Sequence, residues 1–229
     1  MSLQKSGYTE KSSESFLIDA AVIYSNVAFS EADGFVGELL GATSGGVNLT
    51  IETAYRDREV DGTGHTRVKG LKALESAVGT ATANVKELTA ESIRKSLNGT
   101  IREAREDEAP SGYQVIESKR YVEGGDFLDN VAFVGVISGS TKPIIAILDN
   151  ALCTTGLTIE TEDNNEAVVE QTFEAHADTE QLQKDEFPWR IFYPNVEGTT
   201  EGTQGASGQT LNRKVAAPVK NTKEAEDKK

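Results

Sequence analysis

The sequence predicts a mainly β protein, an antiparallel β-sandwich or half-barrel with one short flanking α-helix at about residues 89–98. Three observations predict it. Glycine reaches 21 of 229 residues while hydrophobic residues stay at 37%, a balance suited to many short strands and turns and not to a helical bundle. Apolar and polar residues alternate with period two in several separate stretches. A full set of helix-capping signals occurs around one segment, residues 89–99.

The N-terminal stretch 1–15, MSLQKSGYTEKSSES, is a polar arm with no apolar run of signal-peptide type, which leads us to expect a chain made and kept in the cytoplasm. Residues 16–195 hold nearly all the large apolar side chains and form the expected folded domain. Residues 196–229 carry no aromatic residue, and after Val196 only Leu211, Val215 and Val219 are larger apolar side chains, so this segment reads as a flexible polar tail. That tail has six Lys and Arg against five Asp and Glu, so the residues before it carry 17 bases and 32 acids, a net charge of −15 within the chain's −14.

Within the domain, Gly41, Gly45 and Gly46 read as a structural turn that leads into a strand. Val47, Leu49 and Ile51 alternate with Asn48, Thr50 and Glu52, and the strand is expected to run through Tyr55 toward Val60. Asp61-Gly62-Thr63-Gly64 supplies the residue types that accept positive φ in a tight hairpin loop. From Leu71 to Val85 side chains are small, as on a strand with a smooth face or a close backbone neighbour.

The helix follows. Thr89 is the expected N-cap, Glu91 complements the helix dipole, Leu88 and Ile93 are placed for a hydrophobic staple, Ile93 and Leu97 form the apolar stripe, and Gly99 ends it. Residues 100–112 are charged and finish in Pro110-Ser111-Gly112, which reads as an exposed loop. Strands are then expected at 113–122, 130–138 and 142–148, the run Ile144–Leu148 being buried on both faces. A hairpin spans Leu157 to His176, with Thr158, Glu160 and Glu162 on one face of its first arm and Glu170, Thr172, Glu174 and His176 on one face of its second. Trp189 lies in a last aromatic strand bounded by prolines, where packing is the expected role.

Several chemistries are excluded or disfavoured by residue type. A net charge of −14 gives no footprint for gripping phosphates; it suits equally a surface past which DNA must slide and an acidic surface that serves solubility alone. The lone Cys153 forbids an intrachain disulfide and reads as a small buried residue. His65 and His176 lack metal-ligand partners at useful spacing, so no catalytic or metal site is expected. Gly41–Gly46 is not followed by the Gly-Lys-Ser/Thr of a phosphate loop. Asp163, Asn165 and Glu174 fit three positions of a calcium loop, but Ala167 and Val168 stand where a ligand and the turn glycine belong. No apolar run has the length of a membrane span. We expect no enzymatic activity and no cofactor.

The order of elements between Gly34 and Gly99 adds a resemblance. Leu40-Gly41-Ala42-Thr43-Ser44-Gly45-Gly46-Val47, then Glu52 and Arg58, then Val60-Asp61-Gly62, then Val68-Lys69-Gly70, and the helix ending at Leu97-Asn98-Gly99 together resemble the major tail tube proteins of long-tailed bacteriophages. The resemblance implies a structural virion protein that self-assembles as stacked hexameric rings whose strands close an oligomeric β-barrel, a negatively charged conduit for genome ejection. It implies a tape measure protein, distal tail proteins and a tail terminator as partners, transient non-specific passage of DNA, no membrane anchor, and residence in the virion tail after assembly in the bacterial host cytoplasm.

On this resemblance the loop Asp61, Gly62, Thr63, Gly64 and His65, with the arm before Phe16, would contact the next ring. Glu52 and Glu75 would face the lumen. Tubes of type VI secretion and other contractile injection systems share the fold and function class; the Gly-Gly-Val and Asp-Gly elements favour the virion. The alternative from another class is a monomeric β-sandwich binding or adhesin module with an acidic ligand face around Glu160 and Glu174.

Overall fold

The computed structural model describes residues 6–64, 66–161 and 163–195. His65, Glu162 and the tail from Val196 lie outside them. Every strand pairing is antiparallel, and the strands follow in chain order as β1 (Leu17–Ser30), β2 (Gly34–Leu39), β3 (Thr43–Asp57), β4 (Lys72–Val85), β5 (Gly99–Glu103), β6 (Gln114–Ser118), β7 (Leu128–Ile137), β8 (Ile144–Cys153), β9 (Ile159–Glu160), β10 (Val168–Glu174) and β11 (Trp189–Phe192). Helices α1 (Ala90–Leu97) and α2 (Thr179–Gln183) lie between them. The main sheet runs β2-β1-β7-β8-β10-β4-β3, with β11 beside β8, β9 beside β10, and β5–β6 forming a separate hairpin. Both ends of that path are open, so the described residues close no barrel.

β8 is the hinge of the architecture. One edge pairs with β7 from Ile144 to Ala151; the other pairs with β11 through Ile145–Leu148 and with β10 through Leu152 and Cys153. Asn150 takes a left-handed backbone (φ 45°) at the changeover. Its side-chain amide donates to the His176 carbonyl at 3.0 Å, which fills the gap between the two partner strands. The sheet thereby folds over on itself. Ile23, Val131 and Leu148 from one half meet Ala81, Ala83, Val85 and Phe173 from the other in one buried cluster.

Close approach of the halves explains the small residues of β4. A Cβ on Gly79 would lie 2.9 Å from Leu148 Cδ2 and 3.2 Å from Trp189 Cδ1, inside ordinary contact distance. The run Ile144–Leu148 is buried or nearly so along its whole length, and Cys153 is buried, where desolvation pushes its thiol pKa up.

β1 bends where its alternation breaks. Asn26 has φ 53°, and the pairing register slips between Ser25 and Ala28. Asn130 on β7 repairs the break: its Oδ1 accepts from Val27 N at 2.7 Å and its Nδ2 donates to Val27 O at 2.9 Å, as a peptide group would.

The helix starts as expected, with Thr89 Oγ1 accepting from Ser92 N at 3.0 Å. Its packing differs. Ser92 and Ser96 are its buried residues, while Ile93 and Leu97 are only half-buried and Leu88 is exposed. The reason lies in β10: Gln171, 1% exposed, donates from Nε2 to Ser92 O at 3.0 Å and to Ser96 Oγ at 2.9 Å. A buried amide must find partners, and two serines let the helix backbone come close enough to supply them. The left-handed cap is Asn98 (φ 49°), whose side chain also bonds Cys153 O at 2.9 Å, and Gly99 already begins β5.

The charged stretch 100–112 is also more ordered than a loop. β5 pairs with β6, and Arg102 bridges Glu108 and Glu117 across the hairpin at 2.6 Å and 2.8 Å. These contacts raise the Arg102 pKa and hold Glu108 down to about 2.

Candidate assembly surfaces

Directly paired residues of antiparallel strands project to the same side, so the register of β3, β4 and β10 sorts every side chain onto one of two faces. Leu49, Ala81 and Phe173 form one rung, and Val47, Ala83 and Gln171 another; these face the core. The alternate rungs join Asn48, Thr82 and Thr172, then Thr50, Thr80 and Glu174, then Glu52 and Val78, with Asn84 beside Glu170. This outer face is small, polar and acidic. The hydroxyls of Thr82 and Thr172 bond at 2.9 Å, and none of the rungs from Asn48 to Glu52, Val78 to Asn84 or Glu170 to Glu174 carries Lys or Arg.

Of the two acids expected to face a lumen, Glu52 lies exposed on this face. Glu75 is the extra residue where the β3–β4 register slips between Ala54 and Tyr55, and it too is exposed. Gly45 (φ 76°) and Gly46 (φ 86°) lie inside β3, where the pairing slips between Thr43 and Val47. Gly41, at φ 149°, sits between β2 and β3.

The loop Asp61–Gly64 is the tip of the β3–β4 hairpin. Arg58 N donates to Leu71 O at 2.8 Å at its base, Thr63 Oγ1 to Val60 O at 2.6 Å near its tip, and a hollow of about 440 Å³ opens between Arg58, Glu59, Thr63 and Arg67. His65, the fifth residue of that loop, falls outside the described residues. Glu174 is half-buried, its carbonyl accepting from His176 Nδ1 at 3.0 Å. Among the described residues no group of three or more His, Cys, Asp or Glu is arranged to hold a metal ion, and no helix is long and apolar enough to cross a membrane.

A second surface went unread in the sequence. On the outer side of β1, β7, β8 and β11, Val22, Val134, Ile145 and Phe192 form one rung. Tyr24, Ala132 and Ile147 form the next, with Leu39 of β2 beside Tyr24. The ring of Phe35 lies 5.2 Å from those of both Phe29 and Phe192, tying the bent hairpin over the face. The cover is incomplete: a hollow of about 330 Å³ remains between Tyr24, Phe35, Val134, Pro143 and Ile145, and Phe29, Val36 and Leu39 are 65%, 55% and 56% exposed. The double burial of Ile144–Leu148 was the signal for it, since a strand apolar on both sides needs a second cover.

No protein-family model matches the chain, and no curated protein does. Solved structures do. The chain is similar to one in the virion of a native gene transfer agent particle, at 12% identity over 69% of this chain and 92% of that one, with a TM-score of 0.35. It is similar to one in the tail of an empty gene transfer agent particle of C6 symmetry, at 11% identity, the same coverage and a TM-score of 0.36. It is also similar to one in the tube terminating cap of an anti-feeding prophage, at 12% identity over 81% of this chain and 100% of that one, with a TM-score of 0.36.

Proposed function

We propose that the chain is a structural virion protein, a phage tail tube subunit that self-assembles into stacked hexameric rings and forms a conduit for genome ejection. The observation that carries this reading is the outer face of β3, β4 and β10. It is a sheet surface mainly of threonine, asparagine and glutamate, with Val78 beside Glu52 and no base on its rungs. A wall of this kind repels a polyanion and offers no Lys or Arg to displace the counterions of DNA, so the DNA stays mobile. The sequence resemblance of Gly34 to Gly99 points the same way.

In this reading residues 16–195 form the body of the subunit, with the arm 1–15 and the tail 196–229 flanking it, and the work is assembly without catalysis or cofactor. Open strand edges at β2 and β3 continue from subunit to subunit until ring closure abolishes them. Glu52 and Glu75 face the lumen, and the loop from Asp61 to His65 meets the next ring. A tape measure protein, distal tail proteins and a terminator would complete the tail, put together in the bacterial host cytoplasm. Negative-stain electron microscopy across a concentration series, with scattering mass on the same samples, tests it. Hollow rings or tubes with six-fold end views are expected. A homogeneous monomer at every concentration, including with tail tips added, overturns it in favour of a monomeric binding module.

A further inference from the structure

Of all the asparagines in the chain, only Asn98 is followed by glycine. An Asn-Gly pair is chemically labile, because a glycine nitrogen with no side chain beside it can attack the asparagine side-chain carbonyl. The fold nevertheless calls for both residues. α1 is capped at residue 98 by left-handed backbone (φ 49°, ψ 43°), which asparagine tolerates. The same residue donates from Nδ2 to Cys153 O at 2.9 Å. Gly99 is buried opposite Ser118, and a Cβ there would lie 2.5 Å from the Glu117 carbonyl oxygen, so no larger residue fits. Helix and hairpin are joined through a reactive dipeptide that their own geometry demands.

The same geometry blocks the reaction while α1 is docked. Ring closure needs Cβ of Asn98 and N of Gly99 on the same side of the Cα–C bond. At ψ 43° the two stand anti across it, so the nitrogen faces away from the carbon it must reach. Turning that bond displaces either Gly99 from its place opposite Ser118 or α1 from the sheet. The helix is the part that can give: its buried side chains are Ser92 and Ser96, Ile93 and Leu97 are only half-buried, and the bonds from Gln171 hold it. Elements with few buried apolar contacts open before the rest of a fold.

We propose that Asn98 is a modification site gated by α1: it stays an amide while the helix is docked and converts to aspartate and isoaspartate when the helix leaves the sheet. In the first step the bond between Gly99 N and Asn98 Cγ forms and the Cγ–Nδ2 bond breaks. Nδ2 departs as ammonia, carrying the proton given up by the Gly99 amide. Water then opens the five-membered imide at one carbonyl or the other, leaving an aspartate or an isoaspartyl linkage. Neither product fits the docked helix. A carboxylate has no N–H for Cys153 O and sets a negative group against it, and the isoaspartyl form adds a backbone carbon where Gly99 has no room. Conversion therefore follows an opening of α1 and prevents its reversal.

The test incubates the full chain at mildly alkaline pH, in native buffer and in concentrated guanidinium chloride, and follows the tryptic peptide Ser96–Arg102 by mass spectrometry for both acid products. Conversion in the native chain is expected to be slower than in the denatured chain by about tenfold or more, and Gln171→Ala should speed it in native buffer by about threefold or more. Equal rates in the two conditions, or no conversion in guanidinium chloride, overturn the inference. So does a Gln171→Ala variant whose amide exchange across Ala90–Leu97 is faster while residue 98 converts as in the parent. If that variant does not fold, the parent in urea below its unfolding midpoint replaces it. Conversion should then track the amide exchange of Ala90–Leu97, and conversion that tracks β7 instead overturns the gating.

Discussion

The two halves of the folded sheet share a core but differ on their outer faces, and the difference separates a face that water can cover from one that the chain leaves partly uncovered. The rungs of β3, β4 and β10 between Asn48 and Glu52 are apolar inside and mostly polar outside, so their threonines and glutamates can meet water. The β1–β7–β8 half is apolar on both sides. Ala132, Ile145 and Ile147 on its outer side are buried, yet the hairpin that covers them leaves Phe29, Val36 and Leu39 largely exposed. Burial of apolar area drives folding and association alike, and the β1–β7–β8 half keeps apolar area that its own chain leaves uncovered.

The largest effect should come from the core common to both halves. Phe173 is 1% exposed and packs among Ala81, Cys153 and their neighbours. Phe173→Ala should cost about 3–5 kcal/mol, read as a lowered midpoint in urea unfolding. A loss near 1 kcal/mol would mean that the halves can collapse onto each other, and that the contrast between a shared rigid core and two independent outer faces is overdrawn.

A smaller effect tests how the polar half holds its helix. Gln171→Ala removes both bonds to α1 and leaves the Ser92 carbonyl and the Ser96 hydroxyl in a buried site. The expected loss is about 1–3 kcal/mol, with faster amide exchange across Ala90–Leu97 than across β7. Equal protection of the two elements would show that α1 is held by its half-buried Ile93 and Leu97 instead.

Much of the fold is legible in the sequence because period-two alternation survives wherever one face of a strand is wet. Val47 to Glu52 and Val168 to Glu174 read directly, and so does the capped helix. Legibility fails for three physical reasons. In β1 the alternation is broken at Asp19 and Asn26, both at positive φ, so a strand of 14 residues does not announce itself. In β5 the charges of Arg102 and Glu103 look like a solvated loop, because cross-strand ion pairs have no period. On α1 the docking face is Ser92 and Ser96, chosen by a glutamine 75 residues away from Ser96, and no local pattern encodes that partner. The assembly surfaces split in the same way. The acids of the polar face follow from alternation, whereas the apolar groove exists only once β1 has bent and brought Phe35 against Phe192.

The smallest expected effect lies in the β5–β6 hairpin, which belongs to neither outer face and shows what charge alone holds. The hydrogen bonds from the Arg102 guanidinium keep the Glu108 carboxyl at about 2, below its ordinary value of 4.5. A carboxylate whose folded pKa is depressed favours the folded hairpin at any pH above its unfolded value, and this contribution is lost as pH falls from about 4.5 toward 2. Glu117, lowered by the same guanidinium, acts in the same direction. Both carboxylates lie near the surface, where salt and water screen the pair, so the readout is titration and not a melting curve. Following the Glu108 side chain by NMR, we expect a midpoint near 2 in the parent and a rise toward 4.5 in Arg102→Gln. The signals of the β3–β4–β10 face should follow the same course with pH in the parent and in Arg102→Gln, because the bridges of Arg102 run to Glu108 and Glu117. A parent midpoint already at 4.5 would mean that the bridge to Arg102 does not persist in solution, and that the hairpin is held by its backbone ladder alone.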